Sequence, residues 1–205
     1  LSLAISGTNI FAGTYGGVFL STNNGSNWTA VNNGLTNTSV LSLTTNGTGI
    51  FAGTYGGVFL SINNGSNWTT VNNGLANTYV LALAVNGTNI FAGTTGGVFL
   101  STNNGSSWTA VNNGLTNTNV TSLAISGTNI IAGTGGGVFL STNNGSNWAV
   151  KNTGLTNTDV RSLAFSGTSI FAGTYNGGMF LSTNNGNNWT AVNNGLTNTV
   201  VLSLA

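Results

Sequence analysis

The chain has 205 residues, 40% of them apolar and 1% charged, and a formal net charge of +1. Disorder pairs low hydrophobicity with high charge, so this composition predicts a folded chain. With no Cys and no His, a disulfide framework is excluded and the usual zinc ligands are missing. The near-zero charge offers no electrostatic footprint for nucleic acid or anionic lipid. No apolar run approaches the ~18 residues of a membrane-spanning helix.

One pattern of about 40 residues is written five times. Its tryptophans, Trp28, Trp68, Trp108, Trp148 and Trp189, are spaced 40, 40, 40 and 41 apart. A fixed period in this range marks one supersecondary unit that buries its apolar face only against its neighbours. The repeats run 1–40, 41–80, 81–120, 121–160 and 161–201 within one domain over 1–205, and 202–205 restates the opening residues.

Taken in chain order over 40–80, the unit predicts four strands. Val40-Leu41-Ser42-Leu43 alternates large and small, the period of a strand with two unlike faces. Asn46-Gly47-Thr48-Gly49 is turn chemistry. Ile50–Thr54 reads as the second strand, Tyr55-Gly56-Gly57 as a hairpin tip and Val58–Ser61 as the third strand. Asn63–Asn67 turns the chain into a fourth strand over Trp68–Val71, and Asn72–Thr78 leads to the next copy. No segment carries a helical period over three turns. Turns of two to five residues join only antiparallel strands, which favours a five-bladed β-propeller of four-stranded antiparallel blades over the competing β-solenoid.

The turn before each tryptophan has a recurrent spelling. Its fixed positions are Ser21, Asn23, Gly25 and Trp28; Ser61, Asn63, Gly65 and Trp68; Ser101, Asn103, Gly105 and Trp108; Ser141, Asn143, Gly145 and Trp148; and Ser182, Asn184, Gly186 and Trp189. This resembles the Asp-box, Ser-x-Asp-x-Gly-x-x-Trp, of the bacterial neuraminidase repeat family, with Asn in place of Asp in all five copies. The resemblance implies a propeller in which the motif closes the hairpin between a blade's third and fourth strands. An Asn oxygen still accepts backbone N–H bonds, so a structural role for the turn is expected. The family includes sialidases and xyloglucanases alongside noncatalytic members, so the fold fixes no activity.

Glycosidic hydrolysis generally uses two carboxylates, and the chain has one acidic residue, Asp159. A serine nucleophile would lack its histidine base. The expectation is therefore no enzyme, no cofactor and no metal.

Two places differ most between copies. The second-to-third hairpin tip reads Tyr15, Tyr55, Thr95, Gly135 and Tyr175, with Asn176 inserted beside the last. The position before the first strand reads Ser39, Tyr79, Asn119, Asp159 and Val200. Loop tips drift where nothing packs on them, or their side chains shape binding sites; the sequence leaves both open. Asp159 and Arg161 are expected to pair.

The leading functional expectation is a noncatalytic, lectin-like module for neutral carbohydrate, with no nucleic-acid partner and no membrane insertion. Tyr15, Tyr55, Thr95, Tyr175 and Tyr79 would supply its apolar contacts, and Asn32, Asn33 and Asn37 with their equivalents, among them Asn73, Asn113 and Asn194, its amides. Repetition would make it multivalent. The alternative is a structural or protein-interaction repeat of a surface or secreted protein. Both terminal copies of the first strand compete for one position in a closed ring, so one is expected to pair in the first blade and the other to be displaced. A monomer is favoured, with a strand-exchanged oligomer as the rival.

Overall fold

The computed structural model describes residues 2–204; Leu1 and Ala205, the outer ends of the two terminal copies, lie outside them. Twenty strands form five four-stranded antiparallel sheets, each in sequential order. The first sheet holds β1 (Ser2–Ser6), β2 (Asn9–Thr14), β3 (Gly17–Ser21) and β4 (Thr29–Ala30). The second holds β5 (Val40–Thr45), β6 (Ile50–Thr54), β7 (Gly57–Ser61) and β8 (Thr69–Thr70). The third holds β9 (Val80–Asn86), β10 (Asn89–Thr94), β11 (Gly97–Ser101) and β12 (Thr109–Ala110). The fourth holds β13 (Val120–Ser126), β14 (Asn129–Thr134), β15 (Gly137–Ser141) and β16 (Ala149–Val150). The fifth holds β17 (Val160–Ser166), β18 (Ser169–Thr174), β19 (Gly178–Ser182) and β20 (Thr190–Ala191). Two compact units result, one taking residues up to Thr94 with Phe99–Ala110, the other Thr95–Val98 with the residues from Val111 onward.

Strand β6 is apolar on both faces, because it lies between two sheets. In the first unit, Ile50 and Ala52 of β6 pack with Phe59 and Trp68 against Phe11 and Val18 of the first sheet. The opposite face of β6 and β7, Phe51 and Val58, packs against Ile90, Ala92, Phe99 and Trp108 of the third. In the second unit, Ile131 and Val138 meet Ile170, Ala172, Phe180 and Trp189 in the same way.

The fourth strand is shorter than its sequence predicts. Trp68 lies outside β8 because its backbone N–H donates to the Asn33 carbonyl of the preceding repeat at 2.8 Å. Its indole N–H donates to the Val31 carbonyl at 2.7 Å. Trp108 bonds Asn73 and Val71 alike within the first unit. In the second unit, Trp148 bonds Asn113 and Val111, and Trp189 bonds Thr153 and Lys151. Gly74 permits this contact, since a Cβ there, at a φ of 79°, would collide with the Trp108 carbonyl oxygen.

The turn before each tryptophan is closed by its own side chains. The Ser61 hydroxyl donates to Asn63 Oδ1 at 3.0 Å and accepts the Gly65 N–H at 2.9 Å. Asn63 Oδ1 also accepts the Asn67 N–H at 2.9 Å. Asn64 and Gly65 both take positive φ, 55° and 80°, which is the type I′ geometry that favours Asn-Gly in hairpins. The charge of an aspartate is not needed for any of these bonds.

Of the two terminal copies, Ser2–Ser6 is paired in the first sheet as β1. Residues 202–204 form no strand. The chain just before them is held by bonds from the Val201 N–H to the Thr174 carbonyl and from the Gly178 N–H to the Thr199 carbonyl.

Asn63→Ala removes the acceptor of the exposed Asn67 N–H and should destabilise the chain by about 0.5–1.5 kcal/mol, read as a lower urea midpoint. Asn63→Asp, which keeps the acceptor, should stay within about 0.5 kcal/mol of the parent. Trp108→Ala empties a buried indole site and should cost about 3–5 kcal/mol in the same assay.

Candidate functional site

Each second-to-third hairpin tip is clamped from inside. Thr54, fully buried, donates to the Gly57 carbonyl at 2.9 Å and accepts the Gly56 N–H at 2.9 Å. Asn72 reaches across from the end of the same blade: its Oδ1 accepts the Val58 N–H at 2.8 Å and its Nδ2 donates to the Gly56 carbonyl at 3.1 Å. Gly57 has a φ of 109°, and a Cβ there would occupy the place of the Asn72 amide. Asn32, Asn112, Asn152 and Asn193 repeat the clamp. The tip side chain is therefore mounted on a rigid base.

The loop entering the next blade lies beside these tips. Asn37 stands against the 55–57 tip, its Cβ 2.9 Å from where a Gly56 Cβ would be. Its Oδ1 accepts the Ser39 N–H at 3.2 Å, and Asn77 does the same for Tyr79 at 3.1 Å. The loop so shaped delivers Tyr79 onto Tyr55: the rings stack with centroids 4.2 Å apart and an interplanar angle of 26°. Tyr79 remains 41% exposed. The Tyr55 phenol ionises above its ordinary value of 10.0, held there first by hydrogen bonding with the Tyr79 side chain, then by desolvation and by Tyr79's charge.

In the second unit, Asp159 and Arg161 form a two-pronged pair, with Nε–Oδ1 at 2.8 Å and the second nitrogen on Oδ2 at 2.9 Å. The Arg161 guanidinium also lies 5.5 Å from the centre of the Tyr175 ring, within cation–π range. The Tyr175 N–H donates to the Asp159 carbonyl at 2.9 Å, and Asn157 Nδ2 donates to the Tyr175 carbonyl at 3.0 Å. Tyr15, 63% exposed, and Thr95 occupy the corresponding tips of their own repeats.

Of the amides expected to join the tyrosines, Asn33, Asn73 and Asn113 bond to the next repeat. Asn33 and Asn113 donate from Nδ2 to Asn67 and Asn147 of the next repeat's turn, each at 3.0 Å. Asn33, Asn73 and Asn113 also give their carbonyls to the following tryptophans. Asn194 is exposed. Asn37, Asn117 and Asn157 stand against the tips, together with the clamp. The sequence carried a signal for the clamp: Asn32, Asn72, Asn112, Asn152 and Asn193 are invariant, while their neighbour becomes Thr153 in one copy. The Arg161–Tyr175 contact had no comparable signal, because it occurs once.

No protein-family profile and no curated protein matches the chain. Solved structures do. An ancestral GH74 enzyme superposes with a TM-score of 0.76 at 24% identity, covering 95% of this chain and 31% of that one. The extracellular domain of a one-component system from B. thetaiotaomicron gives 0.78 at 18% identity, covering 98% and 29%. YCF48 bound to D1 peptide gives 0.69 at 15%, covering 96% and 68%. The chain thus spans about a third of the length of the first two. At these identities the likeness speaks to architecture alone, and with five sheets of four sequential antiparallel strands the fold is that of a five-bladed β-propeller.

A double-mutant cycle over Tyr55→Ala and Tyr79→Ala should return a coupling of about 0.5–1.5 kcal/mol in thermal or urea unfolding. In a spectrophotometric titration of the tyrosines, Tyr79→Phe should shift the Tyr55 transition down towards pH 10.0.

Proposed function

We propose that the chain is a noncatalytic propeller of the Asp-box type, part of a surface or secreted protein, that binds neutral carbohydrate at its hairpin-tip end. The observation that carries this reading is the Tyr55–Tyr79 stack. Two rings fixed against each other offer a flat apolar face, ordered before a ligand arrives, so less freedom is lost on binding. Amides beside it, from Asn37 and Asn77, match the hydroxyls of a sugar ring. The near-absence of charge suits an uncharged ligand.

The chemistry of the only carboxylate side chain supports the noncatalytic part. Both Asp159 oxygens are engaged by Arg161, which leaves neither aimed at a bound ligand. A second carboxylate for glycosidic hydrolysis is not available in the sequence.

The five tips are unequal. Tyr55 has a stacking partner, Tyr175 faces a guanidinium, Tyr15 has neither among the described residues, and the other two carry Thr95 and Gly135. One stronger subsite with weaker neighbours follows, rather than five equivalent ones. On an array of neutral glycans the protein should bind a restricted set. Tyr79→Ala should weaken that binding at least tenfold, about 1.4 kcal/mol, while Tyr175→Ala should have a smaller effect. Failure of the parent protein to bind any glycan at high surface density overturns the reading.

A further inference from the structure

The first turn of the second sheet departs from its counterparts. In the other sheets the first two strands pair right up to the turn, at Ser6 with Asn9, Asn86 with Asn89, Ser126 with Asn129 and Ser166 with Ser169. Between β5 and β6 the pairing stops at Thr45 with Ile50, which leaves Asn46-Gly47-Thr48-Gly49 as a wider loop. Its own side chains hold it open. Thr45 Oγ1 donates to the Gly49 carbonyl at 3.0 Å and accepts the Gly47 N–H at 3.2 Å. Asn46 Oδ1 accepts the Thr48 and Gly49 N–H groups at 3.1 and 3.0 Å. Gly49 stands where the other copies carry Asn9, Asn89, Asn129 and Ser169, and a Cβ there would lie 2.6 Å from Leu60 Cδ1.

Beside this loop, at the end of the sheet opposite the tyrosine tips, lies a cavity of about 40 Å³. Residues 47–49 line it together with Ser6 of the first sheet and Ile62 and Asn64 of the turn after β7. The corresponding gap one repeat further on is bridged, because Asn46 Nδ2 donates to Asn104 Oδ1 at 2.8 Å. Ser6 occupies the place of Asn46 and Asn64 that of Asn104, and a serine is too short to make the same bridge. The Ser6 hydroxyl and the Asn64 amide therefore have no hydrogen-bond partner among the described residues. Ile62 replaces a threonine of the other four copies and is 78% exposed. A single exposed apolar side chain is ordinary on a surface; this one forms a wall of the cavity.

We infer that this cavity binds the acetamido group of an N-acetylated sugar. Its volume holds about three water-sized groups, the size of a methyl, a carbonyl and an N–H together. The acetamido methyl would rest on Ile62, its carbonyl oxygen would accept from the Ser6 hydroxyl or Asn64 Nδ2, and its N–H would donate to Asn64 Oδ1. A bare hydroxyl uses the polar groups but leaves Ile62 in water, and an ionised group finds no counter-charge, since no charged residue lines the cavity. An amide with a methyl attached satisfies both halves of the site. The walls are ordered in advance by the bonds within the loop, which reduces what binding costs in lost freedom. The site is separate from the Tyr55–Tyr79 stack and does not rest on the reading given to that stack.

The test titrates the whole chain with N-acetylglucosamine, and with glucose as the probe that lacks the acetamido group, while the isoleucine methyl signals are followed by NMR. The Ile62 signal is identified by its loss in Ile62→Thr. N-acetylglucosamine should shift it with a saturable, millimolar dissociation constant, and glucose should leave it in place. Ser6→Asn reproduces the bridge that Asn46 makes to Asn104, so it should close the cavity and weaken binding by about tenfold or more. Asn64→Gly removes the amide while tolerating the φ of 55° at that position, and should weaken binding as well. Tyr79→Ala should leave the Ile62 response unchanged, which separates this site from the tyrosine stack. Circular dichroism checks that every variant keeps the parent's strand signal. An Ile62 signal that does not move with N-acetylglucosamine overturns the inference. So does one that moves equally with glucose, a Ser6→Asn variant that binds like the parent, or a response lost in Tyr79→Ala.

Discussion

The seating of Trp68, Trp108, Trp148 and Trp189 on the repeat before each is the contact on which the rest of the structure depends. A buried indole removes roughly 150–250 Å² from water, an upper figure of about 4–6 kcal/mol at about 25 cal/mol per Å². The two hydrogen bonds it makes contribute about 1 kcal/mol each. Burial therefore supplies most of the energy, while the bonds fix the angle at which one sheet meets the next. This also explains why the fourth strand is cut to two residues: the Trp68 N–H that would extend β8 is directed to Asn33 instead. The edge of each sheet is spent on its neighbour, which leaves less unpaired edge to recruit other chains.

The composition follows from the same economy of contacts. Charged pairs contribute little at a surface, and the chain nearly dispenses with them. Its polar side chains serve the backbone instead: Ser61 and Asn63 in the hairpin turn, Thr54 and Asn72 at the tip, and Asn37 and Asn77 in the linking loop each accept N–H groups that would otherwise go unpaired. Short polar side chains suit this task because they reach nearby backbone groups without losing much rotamer freedom. An asparagine at position 63 is then as serviceable as an aspartate, since the turn asks for an acceptor and not for a charge.

What the sequence reveals depends on repetition. The four strands, the hairpin turns and the role of Asn63 were legible because each is written five times and each rests on local chemistry. The Asp159–Arg161 pair was legible from proximity along one strand. The engagement of Asn33 was not legible, because its partner, Asn67, lies 34 residues away in the next repeat's turn, and no local rule reports which way a twisted outer strand leans. The length of β8 was overestimated for the same reason. The Tyr55–Tyr79 stack was only half legible: both residues stood out as deviations between copies, but their contact is set by the loop that Asn77 shapes.

Comparison of the copies separates two uses of a side chain. Positions held constant, such as Asn72, Thr54, Ser61 and Trp68, are absorbed into hydrogen bonds or buried contacts. Positions that differ, such as Tyr15, Tyr79 and Tyr175, stay 41–63% exposed on bases that the constant positions hold rigid. Variation is thus confined to side chains whose replacement leaves the scaffold intact, the arrangement in which binding residues ride on a framework that does not depend on them. Two of those variable tyrosines have nonetheless acquired partners, Tyr55 for one and Arg161 for the other. A bare loop tip has no need of such contacts to fold; ordering an exposed ring against a second group carries an entropic cost that becomes useful when the ring must be in place before something binds to it.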